Sequence, residues 1–261
     1  MGCGVCRVMP MTITSSKIRH QDPLPRPDLD RLPGVGWLIR ERLRLAAMAA
    51  FPGDEQVPTN VSKCHCGTCS RYARCKFRQP RGVFDVLHNI DRTGSKAGSR
   101  VCAAAMTIEH FADDVLLSLG MGAGSCVAGF EIGRGTHVRH LFGVEVEPLA
   151  VRVAQAAFPT AEIRPAIEEL EIPRSGRLVV LSSLVFNCIT PDHARRWASF
   201  LAGSRASFLH ISIGRAEEPG QFGIFEVELA RHGMRQERHS LPENIDFSDA
   251  GYATRATWWT R

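Results

Sequence analysis

The sequence predicts an α/β protein, in which a mostly parallel sheet carries helices on both faces and is completed by a C-terminal antiparallel hairpin. Two observations predict this fold. From residue 113 onward, short apolar runs alternate with amphipathic stretches, and the first of these runs ends in alternating glycines. Such alternation is typical of parallel sheets, because consecutive parallel strands need a helical crossover between them.

The strand candidates are apolar runs bounded by turn residues, at 114–119, 140–146, 161–164, 177–184, 206–213, 221–230 and 252–260. The segment 221–230 alternates apolar and polar residues, so it is predicted as an edge strand that pairs with 252–260. Helices are predicted between the earlier strands, near 124–133, 148–158 and 191–203. Thr190 is a suitable cap for the last of these, and Pro191 suits its first turn.

Residues 1–112 are predicted to form an N-terminal extension. Its first 30 residues contain alternating prolines and are predicted to be irregular. A helix is predicted at 34–51, where apolar residues recur at helical spacing before Pro52. A cysteine-rich, basic segment follows, and a short helix at 101–112 leads into the first strand.

The strongest functional signal lies at the ends of the first two predicted strands. Gly120, Gly122 and Gly124 follow the first strand, and Glu145 ends the second strand about 20 residues later. Glycines there let a ligand approach the bare backbone, where a Cβ would collide with it. A carboxylate can accept hydrogen bonds from both hydroxyls of a ribose. The pattern therefore predicts a nucleotide site at the strand tips.

These motifs resemble those of the class I S-adenosylmethionine-dependent methyltransferases, which carry a Gly-x-Gly-x-Gly turn after the first strand and an acid at the end of the second. The resemblance covers roughly residues 113–261 and implies a Rossmann-like catalytic domain. It implies that Gly120, Gly122 and Gly124 cradle the cofactor and that Glu145 holds its ribose. A dinucleotide-binding protein is the nearest alternative, but it would place its last glycine at Ser125.

Two positions depart from the pattern of that family. Its members usually carry an acid two residues before the first glycine, where this chain has Ser118. They often carry an Asp after the third strand, where this chain has Ala166. Glu168, two residues further on, is a candidate substitute for that Asp.

The resemblance places the methyl acceptor beyond the fourth strand. Phe186 and Asn187 are the predicted substrate contacts, and the alternative is that Phe186 packs in the core while Asn187 caps the turn. No catalytic residue is identified, although Asn187 and His193 are candidates and His210 is a further possible base. Methyl transfer requires little beyond the alignment of a nucleophile with the methyl group, so a general base is not essential.

Four cysteines in the basic segment have the number and spacing of metal ligands, namely Cys64, Cys66, Cys69 and Cys75. Four thiolates match a tetrahedral structural zinc site, and an iron–sulfur cluster uses the same ligands. Cys3 and Cys6 could replace one pair, and ordinary reduced thiols are the plain alternative. The nine cysteines of the chain are an odd number, which disfavours a full disulfide framework.

The positive charge of the chain, +5 overall, is concentrated between residues 63 and 100. Aromatic residues interrupt this basic stretch at Tyr72 and Phe77, so residues 71–100 could bind nucleic acid through phosphate contacts and stacking. An acidic protein partner or a plain solvated surface is the alternative. No apolar run is long enough for a membrane span and no secretory signal is recognised, so a cytoplasmic location is expected.

The sequence therefore predicts an enzyme that transfers a methyl group from S-adenosylmethionine to an unidentified acceptor. Two alternatives stay open. One is a related enzyme that transfers an aminoalkyl group of the same cofactor. The other is a non-catalytic, zinc-containing module that binds nucleic acid or protein on a degenerate methyltransferase fold, which Ser118 and Ala166 favour.

Overall fold

A computed structural model describes residues 33–52, 94–109, 113–215, 220–239, 241 and 252–261. In these ranges, a seven-stranded sheet has the order β3-β2-β1-β4-β5-β7-β6. The first five strands are parallel to one another, and β7 runs antiparallel to both β5 and β6. The predicted sheet with an antiparallel C-terminal pair is thus confirmed. No helix in these ranges is both long and apolar enough to cross a bilayer.

The strands coincide with the predicted apolar runs, with one exception discussed below. Their bounds are Val115–Leu119 (β1), His140–Val144 (β2), Glu162–Arg164 (β3), Leu178–Ser183 (β4), Ser207–Arg215 (β5), Arg235–His239 (β6) and Tyr252–Thr260 (β7). Because β1 lies between β2 and β4, the chain leaves β1 at the point where the strand order reverses. Ligands of open α/β sheets bind at such points.

Six helices surround the sheet in the described ranges. They are Pro33–Ala50 (α1), Ser95–Thr107 (α2), Ser125–Arg134 (α3), Pro148–Ala157 (α4), Pro191–Ser204 (α5) and Phe222–Arg231 (α6). Thr190 caps α5 as predicted, because its side chain accepts a hydrogen bond from the His193 amide at 3.3 Å. The short predicted helix at 101–112 is found as α2, which begins and ends several residues earlier.

The core has two layers, one on each face of the sheet. Helices α1 to α4 pack on one face, against strand residues such as Leu116, Leu181 and Ile211. Helices α5 and α6 pack on the other face, against residues such as Leu117 and Val180. Adjacent residues of one strand thus enter opposite layers, as the pleat of a strand requires.

The predicted strand at 221–230 is wrong, because this segment is helix α6. Its buried residues are Phe222, Phe225 and Leu229, whose spacing of three and four places them on one face of a helix. The antiparallel partner of β7 is instead the charged strand β6. The apolar and polar residues of α6 alternate over a few positions, which imitates the period of a strand.

Helices α2 and α3 pack with their backbones in contact. A Cβ on Gly129 of α3 would collide with the Gly98 carbonyl of α2, and a Cβ on Gly133 would collide with the Cys102 carbonyl. A Cβ on Gly98 would in turn collide with the Ser125 carbonyl. Small residues therefore hold α2 against the helix that begins at the glycine motif.

The predicted domain boundary at residue 113 stays a prediction. Helices α1 and α2 precede it, and their apolar residues belong to the same core layer as α3 and α4. In the described ranges, part of the N-terminal extension therefore forms one packed layer with the sheet.

Candidate functional site

The three predicted glycines form a loop, which we call the glycine loop (residues 120–124), between β1 and α3. Gly120, Gly122 and Gly124 have φ angles of 62°, 54° and 93°. All three lie in the left-handed region, which glycine adopts without the steric cost that a Cβ brings. The alternating glycines therefore let the chain turn sharply from β1 into α3.

The glycines differ in what surrounds them. A Cβ on Gly120 would lie 2.5 Å from Val185 Cγ2, and a Cβ on Gly124 would overlap the ring of Phe158. A Cβ on Gly122 would have no described atom within 4 Å. Gly120 and Gly124 are thus packed against protein, whereas the Gly122 backbone faces open space that a ligand could fill.

Glu145 is joined directly to the glycine loop. Its Oε2 accepts a hydrogen bond from the Gly122 amide at 2.6 Å. Its Oε1 accepts hydrogen bonds from the Val146 and Glu147 amides, each at 2.9 Å. Three amides therefore fix the carboxylate at the tip of β2, beside the open face of Gly122. Each oxygen of a carboxylate has two lone pairs, so Oε2 can also accept a hydrogen bond from a ligand hydroxyl.

A second carboxylate adjoins the first. Glu147 caps α4 by accepting a hydrogen bond from the Leu149 amide at 3.1 Å. Burial raises the pKa of Glu147, and repulsion from Glu145 adds to this, while the hydrogen bond from Leu149 opposes it. Glu145 and Glu147 therefore have separate roles, because Glu145 is bonded to the glycine loop and Glu147 caps α4.

Val146 is a site residue that the sequence reasoning missed. The residue is 74 % exposed, although it is apolar and lies between Glu145 and Glu147. An exposed apolar side chain beside a carboxylate offers a contact for the flat ring of a ligand. Its position directly after the predicted acid was the available signal.

The turn after β4 closes the site on the side opposite β2. Leu184 has a φ of 58°, which is uncommon for a residue with a side chain. Its amide donates a hydrogen bond to the Ile213 carbonyl at 2.8 Å. This turn leads into a short 3₁₀ helix at Val185–Asn187, which brings Val185 against Gly120. The predicted acceptor segment and the glycine loop are therefore in direct contact.

The structure places the Phe186 ring in the core, which was the alternative that the sequence left open. The residue is 5 % exposed and packs against aromatic side chains of α5 and α6, namely Trp197, Phe222 and Phe225. Asn187 is half-buried, and its amide donates a hydrogen bond to the Leu184 carbonyl at 3.1 Å. Of the two predicted substrate contacts, only Asn187 is partly exposed, and its role stays a prediction.

The two candidate histidines occupy different environments. His193 Nδ1 lies 2.7 Å from Thr190 Oγ1, so this ring belongs to the cap of α5. His210 is fully buried under Phe186, with Nε2 2.8 Å from Ser182 Oγ and no described partner for Nδ1. Burial lowers the pKa of His210 to about 3, so its imidazole is neutral at physiological pH. Whether either histidine acts as a base stays a prediction.

Ser118 and Ala166, the two positions that depart from the methyltransferase pattern, lie in different parts of the structure. Ser118 is buried in β1, in register with Gly143 and Leu181. Ala166 precedes a 3₁₀ turn at Ile167–Glu169. The Glu168 carboxylate lies 4.0 Å from Arg196 Nε of α5, so it is directed towards that helix.

The predicted metal ligands Cys64, Cys66, Cys69 and Cys75 lie outside the described residues, as does most of the basic stretch 71–100. In the described ranges, no group of three metal-ligating side chains could hold an ion. Cys102, Cys126 and Cys188 form no disulfide there. The zinc site, the iron–sulfur alternative and the nucleic-acid contacts remain predictions from the sequence.

No protein-family model and no curated protein matches the chain. Solved structures resemble it at low identity. The TehB-like SAM-dependent methyltransferase from Corynebacterium glutamicum is 17 % identical, with a TM-score of 0.45, and the match covers 63 % of this chain and 87 % of that one. The pyocyanin biosynthetic protein PhzM is 14 % identical with a TM-score of 0.47, and the shares covered are 67 % and 57 %.

A third similar structure contains two small molecules. It is phosphoethanolamine N-methyltransferase 1 from Haemonchus contortus, in complex with phosphoethanolamine and S-adenosylhomocysteine. The identity is 13 % and the TM-score 0.44, and the match covers 63 % of this chain and 42 % of that one. The fold of this protein itself combines a parallel sheet, an antiparallel C-terminal pair and a left-handed glycine loop joined to Glu145. This is a class I methyltransferase-like fold.

Proposed function

We propose that this protein is an S-adenosylmethionine-dependent methyltransferase. The observation that carries the proposal is the hydrogen bond between Glu145 and the Gly122 amide, at a loop whose middle glycine faces open space. It joins the tips of β1 and β2 at the point where the strand order reverses, and it places a carboxylate beside exposed backbone.

The residues at these strand tips fit the parts of this cofactor. Glu145 would accept hydrogen bonds from the ribose hydroxyls, and Val146 would contact the adenine ring. The bare backbone at Gly122 would admit the amino-acid part, because no Cβ is present to exclude it. The bound cofactor would supply an electrophilic methyl group on a positively charged sulfur.

On the acceptor side, the protein would have a small role. The turn at Leu184–Asn187 would form the wall that faces the acceptor, with Asn187 as its polar contact. The buried ring of Phe186 would support this wall from below. His210 is neutral and buried, so a nucleophile that needs deprotonation would lose its proton to water or to another group.

Calorimetric titration with S-adenosylmethionine and S-adenosylhomocysteine tests the proposal. We expect both to bind the wild-type chain and Gly122→Leu to abolish binding, because its side chain would occupy the open space. Gly135→Leu is the matched control. It has the same left-handed backbone, with a φ of 63° and no described atom near its Cβ, but it lies at the far end of α3. Each variant is expected to lose roughly 1–2 kcal/mol of stability.

The absence of any heat with wild-type protein would contradict the proposal and favour the non-catalytic alternative. The mass of a modified acceptor distinguishes methyl transfer from aminoalkyl transfer, because the two groups add different masses. Equal loss of binding in both leucine variants would also count against a ligand at Gly122.

A further inference from the structure

The glycine loop is supported from behind by a residue of another helix. Phe158, at the C-terminal end of α4, is buried, and its ring occupies the place that a Cβ on Gly124 would take. Gly124 is the residue from which α3 begins, and its carbonyl accepts the hydrogen bond from the Ala128 amide at 2.9 Å. The position of Phe158 therefore limits where the loop can pass into α3.

Arg42 of α1 in turn holds Phe158. Its guanidinium carbon lies 4.3 Å from the centre of the Phe158 ring, which is within the range of a cation–π contact. Arg42 Nη2 donates a hydrogen bond to the Ala157 carbonyl at 3.1 Å. One side chain thus binds both the ring and the backbone at the end of α4.

The same guanidinium is tied to α3. Arg42 Nη1 lies 2.6 Å from Glu131 Oε2, and Glu131 is only 6 % exposed. Glu131 also accepts a hydrogen bond from the Val138 amide at 2.9 Å. Because the carboxylate is buried and has several partners, this ion pair fixes the guanidinium more firmly than an exposed pair would.

Helix α1 also supports the start of α3 through α2. Ile39 contacts α2 at Gly98, since a Cβ there would lie 2.7 Å from Ile39 Cδ1. Gly98 packs directly on the Ser125 carbonyl, next to Gly124. One face of α1 therefore braces the start of α3 through both α2 and Phe158.

We infer that Arg42 is a positioning residue for the cofactor site, which keeps Phe158 against Gly124 and thereby sets the position of the glycine loop. The inference rests on the proposed function. It makes α1, which precedes the domain defined by the glycine motif, a required part of cofactor binding. Arg42 acts through Phe158 and is not expected to contact the cofactor.

Calorimetric affinity for S-adenosylmethionine, measured on the full chain alongside thermal unfolding, tests this inference. We expect Arg42→Met to raise the dissociation constant at least fivefold at a temperature where the variant is fully folded. Arg42→Lys keeps a cation beside Glu131 but loses the planar group over Phe158, so we expect an intermediate value. Arg44→Met is the control, because Arg44 lies on the same helix and pairs with Glu41 on the surface.

A purely structural role would lower the melting temperature while leaving the affinity of the folded variant unchanged. A dissociation constant for Arg42→Met within twofold of wild type would therefore overturn the inference while leaving the proposed function intact. If Arg42→Met does not fold, Arg42→Lys decides instead: a dissociation constant more than twofold above that of wild type supports the inference, and one within twofold overturns it. Absence of binding by the wild-type chain would instead contradict the proposed function, and the inference with it.

Discussion

At the scale of single residues, the candidate site combines a local motif with packing contacts from distant segments of the chain. Spacing predicted the turn at Gly120, Gly122 and Gly124 and the carboxylate of Glu145 after the second strand, because such features leave local signals. That these residues bind a cofactor stays a prediction. The packing of Val185 on Gly120 and of Phe158 on Gly124 joins distant segments, and no local pattern predicts it. The buried position of Phe186 is of the same kind, since it depends on α5 and α6.

Adjacent carboxylates with different contacts give the first residue-scale prediction. Glu145→Ala should weaken the binding of S-adenosylmethionine by about 1–3 kcal/mol, the scale of a charge-assisted hydrogen bond. Glu147→Ala should leave the affinity close to wild type and lower the stability by about 1 kcal/mol, because it removes the cap of α4. Calorimetry and urea unfolding of both variants check this. Equal losses of affinity would contradict the separate roles assigned to the two residues.

A second prediction concerns the buried imidazole of His210. Its pKa is about 3 in the folded protein, whereas an unfolded histidine has a pKa near 6.5. Between these values the unfolded chain binds the proton and the folded chain does not, so stability falls as the pH is lowered. The contribution of His210 is at most about 1.4 kcal/mol per pH unit in this window.

Urea unfolding between about pH 4 and pH 7, which covers most of the window between the two pKa values, measures this effect. His210→Gln should reduce the slope of stability against pH, since glutamine does not titrate. His140→Gln, at an exposed position, is the control and should leave the slope near that of wild type. An unchanged slope in His210→Gln would show that His210 is not kept neutral by the fold.

At the scale of helices and strands, period and capping identified most elements. Thr190 and Pro191 located α5 because capping is a local interaction. Helix α6 was mistaken for a strand, because residues 225–229 alternate apolar and polar side chains while the helical spacing of the buried residues of α6 extends over only two turns. The contact between α2 and α3 was not predicted, since isolated glycines in a helix usually indicate weakness rather than close packing.

Two helix glycines are expected to respond differently to alanine, because Gly129 lies in the backbone contact between α2 and α3 and Gly203 of α5 does not. Gly129→Ala should destabilise the protein by about 1–3 kcal/mol, because its Cβ would collide with the Gly98 carbonyl. Gly203→Ala, in α5, meets no described atom within 4 Å and should be neutral or stabilise by up to about 1 kcal/mol. Chemical denaturation of both variants measures the difference. A stabilised Gly129→Ala would show that the two helices can separate at little cost.

At the scale of the whole molecule, the sequence predicted the sheet and its two helical layers from alternation alone. It did not predict that α1 packs in the same core layer as α3 and α4, because the cysteine-rich segment separates α1 from them along the chain. The boundary at residue 113 was predicted from the extent of the methyltransferase-like motifs and stays a prediction, while α1 and α2 share a core layer with α3 and α4 in the described ranges.

The cysteine-rich segment carries the whole-molecule prediction. If Cys64, Cys66, Cys69 and Cys75 bind zinc, purified protein should contain about one equivalent, the number that four thiolates hold in a tetrahedral site. Cys66→Ser with Cys69→Ser should remove the metal, whereas Cys188→Ser should retain it. Elemental analysis of protein prepared without chelators measures this. Iron in place of zinc would indicate a cluster, and the absence of both metals would contradict the prediction.

The position of β7 between β5 and β6 has a consequence for how the protein folds. In the part of the chain that the structure describes, β6 is hydrogen-bonded to the sheet only through β7, although β6 comes earlier in the chain. Until β7 pairs, β5 is an open edge that carries Phe208 and Ile211, and β6 has no partner in the sheet. An open apolar edge invites pairing with other chains. A chain truncated before Tyr252 is therefore expected to aggregate more readily than the full chain, because β5 would keep an open edge and β6 would lose its partner strand.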